Sequence, residues 1–205
     1  GFFSNKVPVD NIYAIYPVKE FLFKYVLKNK SYLGDHKKSE WADLFVAISP
    51  DEGAYKRTRR YLLEIGMKYL CCMTKTRDYS LPNHVNTELT KIVGDDQSIK
   101  NRWSIIFDDM ADTCGTVCGA SQILVEKGSL GVIVVVSHGI LSGPAIERIN
   151  KSNAIKMVVC SDSLYMDQKA KLCPKIKVFS IAELMAEVIY RRVNNISVSS
   201  MFDHS

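Results

Sequence analysis

From about residue 43 onward the chain alternates between two hydrophobic periods. Short runs rich in β-branched and aromatic residues read as strands, and runs with apolar residues three or four apart read as helices. Leu44–Ile48 predicts a strand and Tyr55–Ile65 a helix. Tyr69–Met73 predicts a second strand, and Glu88–Val93, with its polar alternation, a third. Ser104–Phe107 follows as a strand, and then a helix reaching about Glu126. The continuous apolar run Gly131–Val136 fits a central parallel strand buried on both faces. Ala145–Asn150 predicts a short helix, Lys156–Cys160 and Ile176–Phe179 two strands, and Ile181–Val193 the last helix. This order argues an α/β fold, a parallel sheet covered by helices. Two kinds of segment break the pattern. Lys75–Asn86 is polar, carries Pro82 and reads as a long mobile loop. The ends, Gly1–Tyr13 and Asn194–Ser205, lack a clear period.

Composition narrows the class without changing the fold. A chain of 205 residues with 47% hydrophobic and 24% charged residues is an ordinary globular domain, or one and a fraction. No apolar run approaches the roughly 18–20 residues of a membrane span. The opening Gly1-Phe2-Phe3-Ser4-Asn5-Lys6 lacks the charged-then-apolar order of a secretory signal. The net charge of +5 is spread out, with no Arg/Lys stripe interleaved with aromatics, so no nucleic-acid partner is expected. Six cysteines without zinc-ligand or disulfide-framework spacing fit reduced, buried thiols and a cytoplasmic protein.

The chemistry concentrates at predicted strand ends, where open α/β sheets bind their ligands. Ile105-Ile106-Phe107 runs into the adjacent carboxylates Asp108 and Asp109, then a loop of small and hydroxylated residues, Ala111–Thr116, and then a helical pattern. A strand, a tight loop and a helix N-terminus make an anion site of free N–H groups and positive dipole. Two acids beside a phosphate pocket suit a sugar phosphate, since they accept from vicinal hydroxyls or hold a divalent cation.

Four further runs follow other strands. Ser49-Pro50-Asp51-Glu52-Gly53-Ala54-Tyr55-Lys56-Arg57 fits either a turn with a helix N-cap or, at Asp51, a ligand carboxylate. Lys75-Thr76-Arg77 fits a solvated charged loop or two cations for a triphosphate. His138, in Ser137–Ala145, fits a structural or a catalytic histidine. Ser161-Asp162-Ser163 offers hydroxyls and a carboxylate.

In order and spacing these runs resemble the ribose-phosphate diphosphokinase (phosphoribosyl pyrophosphate synthetase) family, in its C-terminal portion. The likeness extends from Gly1-Phe2-Phe3 and Pro8-Val9-Asp10-Asn11 to Ser197-Val198-Ser199. It rests on Ser49-Pro50-Asp51, Gly94-Asp95, the run Asp108–Thr116 and His138-Gly139 with Ser142-Gly143-Pro144-Ala145. It implies a type I phosphoribosyltransferase-like fold over residues 14–196, with 1–13 left from a preceding domain and 197–205 a tail. It implies that Asp112, Thr113, Cys114, Gly115 and Thr116 hold the 5-phosphate of ribose 5-phosphate and that Asp108 and Asp109 face its 2- and 3-hydroxyls. Asp51 resembles the family's Mg²⁺-binding aspartate, and Lys75 and Arg77 its catalytic basic pair. Asp10 and Asn11, with Ser197, Val198 and Phe202, resemble its regulatory site for inorganic phosphate or ADP at contacts of a homo-oligomer. The implied reaction converts ATP and ribose 5-phosphate to AMP and 5-phosphoribosyl 1-diphosphate.

The chain departs from the family in three ways. The family is about half as long again, and its first domain supplies nucleotide-binding residues and a metal-binding histidine. A chain without that domain, and without an initial Met, is expected to be excised from something longer, to keep the ribose-phosphate pocket and to be inactive alone. Glu52-Gly53-Ala54-Tyr55 replaces smaller residues, so Tyr55 is expected to crowd the nucleotide side, and the sequence beyond Arg77 is less basic than the family's loop. Two other readings stay open: a non-catalytic associated or regulatory subunit of the same fold, and a nucleobase phosphoribosyltransferase.

Overall fold

Seven strands form one sheet in the order β3-β2-β1-β4-β5-β6-β7. They are β1 (Phe45–Ser49), β2 (Tyr69–Arg77), β3 (Glu88–Val93), β4 (Trp103–Ala111), β5 (Gly131–Gly139), β6 (Ile155–Ser161) and β7 (Ile176–Phe179). The computed structural model describes residues 9–26, 29–34, 40–77, 88–94 and 96–202. Gly1–Pro8, Asp95, most of the expected loop and the last three residues lie outside them. Every pairing is parallel except that of β2 with the edge strand β3, which is antiparallel.

The parallel strands are connected by helices because a parallel pair needs a crossover. Helix α4 (Tyr55–Ile65) joins β1 to β2, α5 (Gly115–Glu126) joins β4 to β5, α6 (Ala145–Lys151) joins β5 to β6, and α7 (Asp167–Leu172) joins β6 to β7. Helix α8 (Ala182–Val193) follows β7. Before the sheet come α1 (Ile15–Phe21), a π-helical turn Leu22–Val26, and the short helices α2 (Lys30–Leu33) and α3 (Trp41–Leu44).

Strand alternation sorts the core onto two faces. Phe45, Ala47, Ile105, Phe107, Ile133 and Val135 pack with α1 and α4 on one side. Val46, Ile48, Ile106, Val132, Val134 and Val136 pack with α5 and α6 on the other. Burial on both faces explains why β1 and the first half of β5 carry no charged residue.

Two expected boundaries move. β4 does not end at Phe107 but continues through Asp108, Asp109 and Met110 to Ala111, because β5 is equally long and pairs with it as far as Ala111↔Gly139. β2 does not end at Met73: Thr74–Arg77, expected partly as loop, pair with Glu88–Lys91 of β3 as a hairpin arm.

At the start of β5 the neighbouring strands leave no room for a side chain on Gly131. A Cβ on Gly131 would lie 2.6 Å from Cζ3 of Trp103 and 2.8 Å from Cγ of Lys156. The indole cannot swing away freely, since its Nε1–H donates to the Tyr32 carbonyl at 3.0 Å and its ring meets Tyr32 edge-on. Gly131→Val is therefore expected to cost about 1–3 kcal/mol through overpacking. An unchanged urea midpoint in that variant would show that the junction relaxes freely.

Candidate active site

The sheet order reverses at β1, from which the chain passes outward to β2 on one side and later returns to β4 on the other. The crevice at the C-terminal ends of two such strands is the usual ligand site of an open α/β sheet. Here it is a cavity of about 460 Å³, lined by Asp51 after β1, by Asp108 and Met110 of β4, and by the loop and helix start Asp112–Thr116.

Beyond β1 the backbone turns tightly. Ser49 Oγ donates to the Asp51 carbonyl (2.7 Å), and Asp51 Oδ1 accepts the Ala54 N–H (2.8 Å). The turn is thus observed, although α4 itself starts after Ala54 without a side-chain cap, and the Asp51 carboxylate also borders the cavity. Tyr55 opens α4 half-exposed and does not line this cavity.

Phe107 packs on the α4 side of the sheet and Ile106 on the α5 side. Of the two acids that follow, Asp108 lines the cavity and Asp109 does not. Arg57 of α4 spans the two: Nη2 is 2.8 Å from Asp108 Oδ1 and Nη1 is 3.2 Å from Asp109 Oδ2. Main-chain donors hold the carboxylates as well, Asp109 N–H to Asp108 Oδ1 (2.9 Å) and Met110 N–H to Asp109 Oδ1 (2.8 Å). This leaves Asp108 Oδ2 as the oxygen of the pair with no donor among the described residues.

Burial pushes the Asp108 carboxyl up to about 6; the Asp109 charge adds to this, and the Asp109 N–H and the Arg57 charge oppose it. Burial acts on Asp109 too, but Arg57 and hydrogen bonds from Asp108 and the Met110 N–H outweigh it and hold that carboxyl below its ordinary value. Arg57 Nε is buried with no acceptor among the described residues. Such an unmade bond costs about 1–3 kcal/mol, so the carboxylates, not full satisfaction of the fork, hold the guanidinium there.

The loop after β4 is shorter than expected. Only Asp112, Thr113 and Cys114 separate strand from helix. Cys114 precedes α5 in the left-handed region (φ 59°) and makes no side-chain cap. The first helical N–H with a helical acceptor is that of Cys118, bonded to the Cys114 carbonyl. Those of Gly115, Thr116 and Val117 have no acceptor among the described residues, and with the helix dipole they make an anion site.

The loop is pinned from behind by the segment after β5. Leu141 N–H donates to the Ala111 carbonyl (2.9 Å), Ser142 N–H to that of Asp112 (3.2 Å), and Ser142 Oγ to Asp112 Oδ1. Arg148 Nη1 donates to the Thr113 carbonyl at 2.8 Å. A Cβ on Gly115 would lie 3.2 Å from that Nη1, so glycine gives Arg148 room that a larger residue would tighten. Burial pushes the Cys114 thiol up to about 12, so it stays protonated and packs as a small loop residue. All six cysteines are unbridged, five of them buried.

The remaining candidates fall elsewhere. Lys75 and Arg77 continue β2 beyond its last pairing with β1, Cys72↔Ser49, toward the same C-terminal end of the sheet as the cavity, in register with Thr90 and Glu88. His138 Nδ1 is 2.8 Å from Ser163 Oγ, and Ser161 Oγ donates to the Ser137 carbonyl (2.6 Å), a structural tie between β5 and β6 outside the cavity. Asp10 accepts from Arg192, and the Ser197 carbonyl from Arg191 (2.9 Å), both arginines of α8. Val198 and Phe202 are buried against Leu184 and Val188 of α8 and against Tyr13, while Arg60 of α4 donates to the Phe202 carbonyl. Asn11 is exposed. The structure thus joins the first described residues to the tail, but apart from the cavity. Sequence reasoning missed Arg57, Ser142 and Arg148 as site-building residues; Arg57 stood in a quoted run, but nothing local pairs it with residues 51 and 52 positions away.

Sheet order, helix placement and a cleft at the switch point together define a helix-covered α/β domain of the type I phosphoribosyltransferase-like fold. The chain superposes on phosphoribosylpyrophosphate synthetase from Mycobacterium smegmatis with a TM-score of 0.72 and 28% identity, over 92% of this chain and 53% of that one. The chain belongs to the phosphoribosyl synthetase-associated domain family, which matches residues 68–203. It is 36% identical over 202 residues to ribose-phosphate pyrophosphokinase 3 of Saccharomyces cerevisiae, covering 98% of this chain and 55% of that protein. The resemblance read from the sequence and the fold class are borne out. The chain spans about half the length of the relatives it matches.

Proposed function

We propose that this chain is the ribose 5-phosphate-binding half of a ribose-phosphate diphosphokinase in nucleotide biosynthesis, acting in the cytoplasm. The observation that carries the reading is one cavity bringing together Asp51, Asp108 and the N–H-rich loop Asp112–Thr116. The free N–H groups of α5 bind the 5-phosphate, and Asp108 Oδ2 accepts from a ribose hydroxyl. Asp109, which does not line the cavity, serves mainly through Arg57. The family relationship and the similarity to a yeast pyrophosphokinase support the assignment.

In the proposed reaction the anomeric oxygen bonds to the β-phosphorus of ATP, the bond from that phosphorus to the α–β bridging oxygen breaks, AMP leaves, and the hydroxyl proton passes to solvent. Such a transfer needs positioning and charge neutralisation and no covalent enzyme intermediate. Lys75 and Arg77, at the C-terminal end of β2, are the cations proposed to meet the diphosphoryl oxygens. No cluster of three or more His, Cys, Asp or Glu able to hold a metal occurs among the described residues. Mg²⁺ does not need one, since it is usually held by one or two carboxylates together with substrate phosphates and water. Asp51 fits that role and would hold it; when bound, Mg²⁺ neutralises phosphate charge. No helix among the described residues is long and apolar enough to cross a membrane. In the full-length protein we propose ATP, AMP and inorganic phosphate or ADP as further ligands and a homo-oligomer as the assembly, with Asp10, Asn11, Ser197, Val198 and Phe202 near the effector site.

Calorimetric titration of the chain with ribose 5-phosphate tests the reading. Saturable binding without nucleobase, and no AMP release from ATP plus ribose 5-phosphate by the chain alone, are expected. Absence of ribose 5-phosphate binding overturns it. Binding of 5-phosphoribosyl 1-diphosphate that requires a nucleobase points instead to a phosphoribosyltransferase.

A further inference from the structure

We propose that Arg57 is the positioning residue of the acid pair: its fork ties Asp109, outside the cavity, to Asp108, which lines it, so that Asp108 Oδ2 is held toward the sugar while half of the pair's charge is cancelled. The inference rests on the ribose 5-phosphate reading above.

Three observations carry it. The two nitrogens of one guanidinium reach both carboxylates, Asp108 at 2.8 Å and Asp109 at 3.2 Å. A planar guanidinium bridges them with a separate nitrogen for each and fixes their relative orientation, whereas an ammonium would act as a single point charge. Asp108 lines the cavity, whereas Asp109 and Arg57 do not, so the cation acts from outside the ligand's volume. The bonds are also distributed selectively. Arg57 and the Asp109 N–H both use Asp108 Oδ1, which leaves Oδ2 unengaged among the described residues. A carboxylate held by one oxygen and open at the other is suited to accept a hydroxyl in a fixed direction.

Charge supplies the second half of the argument. Two ionised carboxylates next to a bound phosphate dianion would repel it across a half-buried site. The guanidinium leaves the pair with one net negative charge, enough to accept a hydroxyl proton and less opposed to the phosphate. Arg57 thereby makes compatible two recognition elements that would otherwise conflict, an anion-binding helix start and an anionic diol acceptor.

The test compares three ligands on the chain as it exists: ribose 5-phosphate, 2-deoxyribose 5-phosphate and inorganic phosphate, each titrated into wild type, Arg57→Met and Arg57→Lys. In Arg57→Met the affinity for ribose 5-phosphate is expected to fall about 10- to 100-fold, as when a residue that orients a ligating group is removed. Inorganic phosphate, held by the loop, is expected to bind nearly as before, so that the preference for ribose over deoxyribose collapses. Arg57→Lys keeps the charge and loses the fork, and is expected to lose several-fold in ribose 5-phosphate affinity even if Arg57→Met fails to fold. Parallel losses for all three ligands would mean a merely structural role and overturn the proposal, as would unchanged preference in both variants. Failure of wild type to bind ribose 5-phosphate would overturn the functional reading itself.

Discussion

Replacing Asp108 by Asn is expected to weaken ribose 5-phosphate binding by about 100-fold while leaving the folded chain as stable as wild type, or more so, near pH 7. A hydrogen bond to an ionised acceptor is worth about 1.5–3 kcal/mol, and each 1.4 kcal/mol is tenfold in affinity. Stability moves the other way because Asp108 is a carboxylate kept in an unfavourable place. Its pKa is raised to about 6 in the fold from 3.8 for an exposed carboxyl, chiefly through burial. A group whose pKa is raised on folding contributes its stability below the unfolded value, and that contribution is lost as the pH rises through the folded value. The advantage of Asp108→Asn over wild type should therefore grow between about pH 4 and 6 and then level off. After allowance for solvent screening it amounts to about 1 kcal/mol. Asp109→Asn should behave oppositely and lose stability above the ordinary carboxylate range, because its carboxyl is held low by Arg57. Denaturant midpoints of the variants across this pH range decide the matter. A stability loss in Asp108→Asn equal to that in Asp109→Asn would sink the argument.

That opposition between binding and stability bears on what the sequence could reveal. The carboxylates, the loop after them and the helix start were legible because their spacing is local. Strand, acid pair, loop and helix lie within about twenty residues, and each is written in composition or period. The sheet's central strands were equally legible, since burial on both faces leaves uninterrupted apolar runs. The cross-strand features were not. β4 outlasts its apolar stretch because β5 beside it is just as long, a fact of pairing and not of residue type. Arg57 meets Asp108 and Asp109 only because α4 and β4 adjoin across the switch point.

The segment before β1 shows a different kind of miss. Ile15, Val18, Phe21, Leu22 and Val26 are all buried and follow a helical period, but Pro17 in their midst argues against a helix. Pro17 falls in the first turn of α1, where its missing N–H has no helical acceptor to lose. α7 went unread because six residues, mostly polar, give too short a pattern to distinguish from a loop. The basic pair Lys75 and Arg77 was legible as residues but not as structure: their place in a hairpin depends on β3, whose pairing lies across residues outside the description.

Phe107→Ala is expected to be the most destabilising of the changes considered, at about 3–5 kcal/mol, the usual cost of removing a buried aromatic ring. Phe107 is completely buried, and its ring stacks on that of Tyr61 at 4.6 Å with 10° between planes. Tyr61 is itself so enclosed that burial pushes its hydroxyl up to about 12, although the Arg57 charge and a hydrogen bond with Ser137 draw the other way. The stacked pair joins β4 to α4 one residue before Asp108 and one helical turn after Arg57. Removing one ring opens the contact that sets the distance between the guanidinium and the carboxylates. Since domains are stable by only about 5–15 kcal/mol, the variant should unfold at a far lower urea concentration and bind ribose 5-phosphate more weakly even while folded. Phe107→Leu separates the two effects: it fills most of the volume but loses the aromatic pair, at a cost of about 0.5–1.5 kcal/mol in stacking and a similar amount in shape. If Phe107→Leu lowers the urea midpoint slightly yet weakens ribose 5-phosphate binding as strongly as Arg57→Met, the stack is part of the geometry that aims Asp108. If binding in Phe107→Leu is unchanged, its contribution is to stability alone.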